Sequence, residues 1–249
     1  MQDFTSIVIT GASSGIGEAL ALDYAAPGIA LALSGRDAQR LDAIAAACRA
    51  KGATVDAGRI DVVDRGALAA WLTTFDDAHP VDLVIANAGI SIDKDNSSLD
   101  DFSIVRKTFD VNVGGVLNTM EPMVARMMAR KRGQIAVVSS LAGFVGLPYS
   151  ASYNASKAAV RVWGESIRYV LKKSGIGVSV ICPGFVVSRM TAQAPFKMPF
   201  LMTSARASKI IRSGLAHNKA RIAFPIPTKA AVWFGGLLPG NWMARLLGA

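Results

Sequence analysis

Apolar runs recur along this chain with stretches of helical length between them: SIVIT (6–10), IALALS (29–34), VDLVIA (81–86), GQIAVVSS (133–140) and GVSVIC (177–182). Runs this short and this apolar suit strands buried on both faces, and the intervening lengths suit crossover helices. A short strand near TVDAGRID and a last one at ARIAF bring the expected total to about seven. The expected fold is therefore α/β, a doubly wound parallel sheet with helices on both faces. No internal repeat and no linker divides the 249 residues, so a single domain spanning 1–249 is expected. The stretch from about Leu99 to Arg132 reads as one long helix, which the Gly114-Gly115 pair and Pro122 should bend.

Between the first strand and the first helix stands ITGASSGIGEAL, with glycines at 11, 15 and 17. Glycine permits a tight turn and close approach of the backbone to a pyrophosphate, and free N–H groups at a helix start attract its charge. A turn of this kind could also do no more than connect strand to helix. Its place at the first strand–helix junction of a doubly wound pattern favours a dinucleotide.

A second motif lies in PYSASYNASKAAV, residues 148–160, where Tyr153 precedes Lys157 by four residues. On a helix that spacing puts both side chains on one face. An ammonium near a phenol favours the phenolate and lowers the tyrosine pKa from about 10, which suits a general acid or base. Ser150 or Ser152 could cap the helix start, and no proline interrupts the run that follows until the glycine stop. A packed tyrosine beside a solvated lysine is the bland alternative for the pair taken alone.

In order and separation these motifs resemble the short-chain dehydrogenase/reductase family. TGASSGIG (Thr10 to Gly17) resembles its cofactor turn, NAG (Asn87 to Gly89) its fourth-strand motif, and YNASK (Tyr153 to Lys157) its active-site signature. Ser140 lies 13 residues before Tyr153, as in the family pattern, and Asn112 in FDVNVGG matches its catalytic asparagine. PGFVVS (Pro183 to Ser188) resembles the loop that closes over the cofactor, with Ser188 where threonine is commoner. The resemblance runs from about residue 6 to residue 190.

It implies a Rossmann-like fold and a hydride transfer between a nicotinamide and a carbonyl or alcohol. Tyr153 would give or take the proton, Lys157 would lower its pKa and hold the nicotinamide ribose, and Ser140 would hydrogen-bond the reacting oxygen. Asn112 would hold a water that links Lys157 to solvent. Cofactor contacts are expected from Gly11, Ser13, Ser14, Gly15, Ile16, Gly17, Arg36, Asp61, Val62, Asn87, Ala88, Gly89, Tyr153, Lys157, Pro183, Gly184, Val186 and Ser188. Substrate contacts would come from Ser140 and Tyr153, and Tyr149 would either face the pocket one turn away or pack. Relatives that prefer NAD usually carry an aspartate after the second strand, where this chain has Ser34, Gly35 and Arg36. Arg36 can pair with a 2′-phosphate, so NADP(H) is expected over NAD(H). Asp37 should cap the next helix.

Residues 1–165 carry 15 Lys or Arg against 18 Asp or Glu, whereas residues 166–249 carry 12 against none. Such asymmetry points to an anionic partner. The basic residues alternate with apolar ones and no nucleic-acid motif is present, so a nucleic-acid-binding module is the weaker reading. A catalytically silent dinucleotide-binding regulator would have no need for the Ser, Tyr and Lys set. The segment from about 188 to 218 is expected to cover an apolar substrate such as a steroid-like or isoprenoid ketone, a 3-oxoacyl thioester or a long-chain aldehyde. The extension from about 225 to 249 combines Trp233, Phe234, Leu237, Leu238, Trp242, Leu246 and Leu247 with basic flanks. Its 15 uncharged residues between Lys229 and Arg245 fall short of the roughly 20 a membrane-spanning helix needs. It fits either peripheral contact with an anionic membrane or closure of the core or of a subunit interface. Cys48 and Cys182 form no framework, and His79 and His217 have no partners nearby in sequence, so neither disulfides nor a metal is expected. With no export signal visible, a reducing cytoplasm is the default, and a homodimer or homotetramer is implied by the resemblance.

Overall fold

The computed structural model describes residues 3–91, 101–146, 150–193 and 198–235. Seven strands form one sheet: β1 (Ser6–Thr10), β2 (Ala30–Ser34), β3 (Thr54–Gly58), β4 (Leu83–Ala86), β5 (Gly133–Val138), β6 (Ile176–Pro183) and β7 (Arg221–Phe224). Their order is β3-β2-β1-β4-β5-β6-β7 and every pairing is parallel. The order reverses between β1 and β4, so the connections leaving those strands part to opposite sides and leave a crevice at the carboxyl ends.

Alternation along each strand splits the core into two layers. Ile7, Ile9, Leu31, Leu33, Leu83 and Ile85 face one way, where Leu20 of α1 (Gly15–Tyr24), Leu41 of α2 (Ala38–Ala50) and Ile211 of α7 (Ser204–Ala216) cover them. Val8, Ala32, Val84, Ile135 and Val137 face the other. There they meet Leu68 of α3 (Arg65–Ala78), Met120 of α5 (Gly115–Arg130) and Val160 of α6 (Ala151–Lys172). Side-chain caps start several helices: Asp37 accepts from Arg40 N at 3.0 Å, as expected, and Asp64 accepts from Ala67 N at 3.0 Å.

Two expectations need revision. The long helix runs without a break from Phe102 to Arg130, but a π-helical turn (Asp110–Gly114) interrupts its ladder and divides it into α4 (Phe102–Phe109) and α5, while Leu99 lies outside the described residues. The glycine pair sits where the π turn closes, and α5 runs on through Pro122 because Met120, Met123 and Met127 on that helix are buried in the second layer. The expected substrate cover also divides. Its far half is α7, whose Ala207, Ile211 and Leu215 are fully buried and complete the first core layer, so α7 is scaffold. Residues 194–197 within that segment lie outside the described residues.

Beyond β7, α8 (Ile226–Gly235) rests on the second layer through Val232 and leaves Ile226, Trp233 and Phe234 exposed. Leu237, Leu238, Trp242, Leu246 and Leu247 of the expected apolar extension lie outside the described residues. Among the described residues no helix is long and apolar enough to cross a membrane, and no cluster of His, Cys, Asp or Glu could hold a metal ion.

Candidate active site

The glycine turn is strapped to the end of β4. Thr10 Oγ1 accepts from the backbone N–H groups of Asn87 (3.1 Å) and Ala88 (3.2 Å), and Asn87 Nδ2 donates to the carbonyls of Thr10 (2.9 Å) and Gly11 (3.2 Å). Gly11 has φ 67°, and a Cβ there would come within 2.8 Å of Ala88 Cα, so only glycine fits. At the start of α1, Ser14 occupies the N-cap position without a side-chain cap. The first N–H groups of α1 therefore open onto the crevice, a ready place for an anion. Asn87 thus serves the turn itself, a role its motif alone did not reveal.

A cleft of about 760 Å³ runs from this turn along the carboxyl edge. At one end it is lined by Arg36, Asp61 and Val62, along its length by Ser13, Ser14, Gly15, Ile16, Asn87, Ala88 and Gly89, and on its far wall by Pro183, Gly184, Val186 and Ser188. Gly17 does not line the cleft; it is buried behind the turn, where a side chain would strike Gly11 and Asn87. Arg36 is half exposed and 3.8 Å from Asp61, so it is restrained only loosely. Beside it the cleft holds a second cation that sequence reasoning missed, Arg40, paired with Asp37 at 2.6 Å. Arg40 Nε and Ser34 Oγ are buried without a hydrogen-bond partner. The signal for Arg40 was its place, third in α2 and four residues after Arg36.

At the other end Ser140, Tyr153 and Lys157 meet. Ser140 closes β5, and its Oγ accepts from Ala142 N at 3.1 Å, capping a 3-10 turn (Leu141–Gly143). Tyr153 and Lys157 stand on the first turns of α6, with Ser150 before them at φ 64°, a left-handed conformation unusual for serine. Lys157 Nζ donates to Val138 O at 2.9 Å and lies 5.7 Å from the centre of the Tyr153 ring. Asn112 sits in the π turn. Its Oδ1 accepts from Ile90 N (2.8 Å), and its Nδ2 donates to Ile90 O (3.0 Å) and to Ser156 Oγ (3.0 Å). A Cβ at Gly89 would lie 3.1 Å from both Asn112 Oδ1 and Lys157 Nζ, so the bare glycine leaves those groups room. Tyr149 lies outside the described residues.

The electrostatics depart from the sequence expectation. Burial pushes the Tyr153 phenol up, against a lowering hydrogen bond with Ser140. Burial also lowers the Lys157 ammonium to about 8, against a small opposing influence of Cys182. Spacing alone predicts that the lysine depresses the tyrosine. The protein around them instead disfavours both charged forms, because Lys157 is almost fully buried and Tyr153 partly so.

The orphaned polar atoms at one end, the uncapped helix in the middle and the glycine that a side chain would crowd out all fit an extended dinucleotide. A crevice of this shape at the switch point of a parallel sheet, ending in a serine, a tyrosine and a lysine, defines a dinucleotide-dependent oxidoreductase site. The model of the short chain dehydrogenase family matches residues 5–198. An uncharacterized oxidoreductase of Myxococcus xanthus is 38% identical over 235 residues, covering 92% of each chain. Two solved structures are each 25% identical with a TM-score of 0.83. One is a short-chain dehydrogenase from Sphingobium yanoikuyae in complex with NADPH, covering 97% of this chain and 94% of that one. The other, from Burkholderia phymatum in complex with NAD, covers 98% and 95%. The chain belongs to the short-chain dehydrogenase family, and with it to the oxidoreductases that act on CH–OH groups.

Proposed function

We propose that the protein interconverts a carbonyl compound and the corresponding alcohol with NADP(H), on an apolar substrate. The observation that carries this is the convergence of Ser140, Tyr153 and Lys157 at one end of a cleft whose middle is an uncapped helix start. When bound, the nicotinamide supplies the hydride for reduction of the carbonyl carbon or receives it in the reverse direction. Tyr153 Oη gives its proton to the carbonyl oxygen as that atom gains charge. Ser140 Oγ, whose hydroxyl donates to Pro183 O at 3.4 Å, would turn to donate a hydrogen bond to the same oxygen. A phenol is protonated at neutral pH, the form that reduction needs, and burial pushes its pKa further up. Lys157, close to its own titration midpoint, returns the proton, and Asn112 and the Ile90 backbone hold the floor beneath it. Gly11, Ser13, Ser14, Gly15 and Ile16 would hold the diphosphate, Asn87, Ala88 and Gly89 the middle of the dinucleotide, and Asp61 and Val62 the adenine end. Val186 and Ser188 would close over it.

Preference for NADP(H) rests on Arg36, with Arg40 Nε and Ser34 Oγ as further donors at the same end that have no hydrogen-bond partner, although another nitrogen of Arg40 pairs with Asp37. Comparable efficiency with NADH and NADPH would count against it. An apolar substrate is supported by the rim at the carboxyl edge, where Met190, Phe200, Leu201, Ile226, Trp233 and Phe234 are all exposed. The segments that carry these residues, 189–193, 198–202 and 226–235, include Arg189 and Lys229 and no Asp or Glu, which supports peripheral contact with an anionic membrane. Sedimentation with anionic vesicles, reversed by salt, checks this. Exposed Leu117, Val162, Tyr169 and Val170 on α5 and α6 support a homodimer or homotetramer, which equilibrium sedimentation decides. The overall proposal is tested by screening NADPH oxidation against carbonyl compounds graded in chain length. No turnover of any of them would overturn it.

A further inference from the structure

The four-residue spacing that begins with Tyr153 and Lys157 continues along α6 as Arg161 and Glu165. Arg161 Nε donates to Gly143 O at 3.2 Å, and Arg161 Nη1 lies 3.2 Å from Glu165 Oε2. Glu165 Oε1 in turn accepts from Arg221 Nε (2.8 Å) and Nη2 (2.5 Å) on the edge strand β7. The ring of Phe144 lies beside both guanidinium groups, 4.5 Å from Arg161 Cζ and 5.2 Å from Arg221 Cζ. Gly143 and Phe144 are the end of the short turn that Ser140 begins. That turn presses against α6 at the catalytic lysine, where a Cβ on Gly143 would lie 2.7 Å from the carbonyl carbon of Lys157. Ser139 Oγ also donates to Lys157 O at 2.7 Å.

A one-turn 3-10 segment has few hydrogen bonds of its own, so its position depends on what holds it. Ser139 and Ser140 hold its start through their own hydroxyls, and at its far end the side-chain hold is a guanidinium, paired with a carboxylate and lying against the Phe144 ring. Neither Arg161 nor Glu165 lines the cleft. We propose that Arg161, aligned by Glu165 and Arg221, is a positioning residue for Ser140: it fixes the Ser140 turn against α6 and so sets the Ser140 hydroxyl beside that of Tyr153. The arrangement ties Ser140 to the helix that carries Tyr153 and Lys157, so that these three move as one unit.

The proposal rests on the oxidoreductase reading, and its test separates the two. In the protein without added cofactor, hydrogen exchange of amides 141–146 is measured for wild type, Arg161→Met and Arg161→Lys. Loss of a charge-assisted hydrogen bond should speed exchange there about tenfold in Arg161→Met, with a smaller change in Arg161→Lys. Reduction of benzil with NADPH is then followed for the same variants and for Ser140→Ala with and without Arg161→Met. Arg161→Met should lower kcat about tenfold with the KM for NADPH unchanged, and Arg161→Lys should recover part of it. In the Ser140→Ala background, Arg161→Met should change kcat by less than about twofold, because its effect runs through Ser140. Equal effects in both backgrounds, or wild-type exchange at 141–146 in Arg161→Met, would overturn the proposal. Should wild type reduce no carbonyl compound, the oxidoreductase reading fails while the exchange result still decides whether Arg161 holds the turn.

Discussion

Asp76 and Lys157 are almost equally buried, at 1% and 3% exposure, yet the protein treats their charges in opposite ways. Asp76 sits near the amino edge of the sheet, at the end of α3. Burial would push its carboxyl up, but hydrogen bonds from Arg130 and Arg126 and from the Val81 N–H outweigh it and hold the group below the ordinary carboxylate range. Arg130 reaches it with both terminal nitrogens, at 2.7 and 2.8 Å. Lys157, near the carboxyl edge, has a carbonyl at 2.9 Å and no carboxylate among the described residues in ion-pair reach, and burial lowers it to about 8. One buried charge ties α3 to α5; the other has no carboxylate partner among the described residues and faces the candidate site. The sheet thus separates an edge where a buried charge is paired and ties helices together from the edge that carries the candidate site.

The sharpest way to test this contrast is to remove the transferable proton. Tyr153→Phe should cut turnover by roughly 10²–10⁴-fold while leaving cofactor affinity and thermal stability close to wild type. Activity within a few-fold of wild type would remove Tyr153 from the mechanism. The mirror experiment is Asp76→Asn, which leaves two guanidinium groups facing a neutral amide. It should cost about 3 kcal/mol of stability with kcat unaffected in the protein that remains folded, as read by denaturant unfolding at neutral pH. Because the Asp76 carboxyl is depressed in the folded state, its contribution is present above the ordinary carboxylate pKa and is lost as pH falls through the folded value. Asp76→Asn should accordingly flatten the acid limb of the stability curve.

Lys157 should show the reverse sign. Its folded pKa of about 8 lies below its ordinary value of 10.5, so between those values the unfolded chain binds more protons and stability rises with pH. Lys157→Met, which removes the buried charge, should gain most on wild type below pH 8 and lose that advantage as pH approaches 10.5, while abolishing turnover. A constant gap across that window would mean the ammonium is better solvated than its surroundings indicate. The smallest effect is expected at the cofactor's adenosine end, where Arg36 is half exposed. Arg36→Ala should lower the NADPH-to-NADH ratio of kcat/KM about tenfold, and Arg40→Ala should lower it less because Asp37 already engages that guanidinium. An unchanged ratio in Arg36→Ala would assign the preference, if there is one, to other residues.

Much of this was legible in the linear chain because it depends on short-range periodicity. Strand positions follow from runs of apolar residues, the glycine turn from residues that alone tolerate its backbone, and the Tyr153–Lys157 pair from the pitch of a helix. Ser140 and Asn112 became visible only through resemblance to a family, since nothing local distinguishes a strand-end serine or a helical asparagine. Tertiary structure decided the rest. It showed that α7 is core where a cover was expected, because Ile211 and Leu215 find the first layer of the sheet. It put Asn112 in a π turn, Asn87 behind the glycine turn and Arg40 beside Arg36. Above all it set the sign of the electrostatics at the active site. Sequence spacing brings a phenol and an ammonium to one face, and Coulomb attraction between them favours the charged forms. The cost of removing them from water, wholly for Lys157 and partly for Tyr153, depends on what the remainder of the chain packs around them, and burial is the largest influence on both groups.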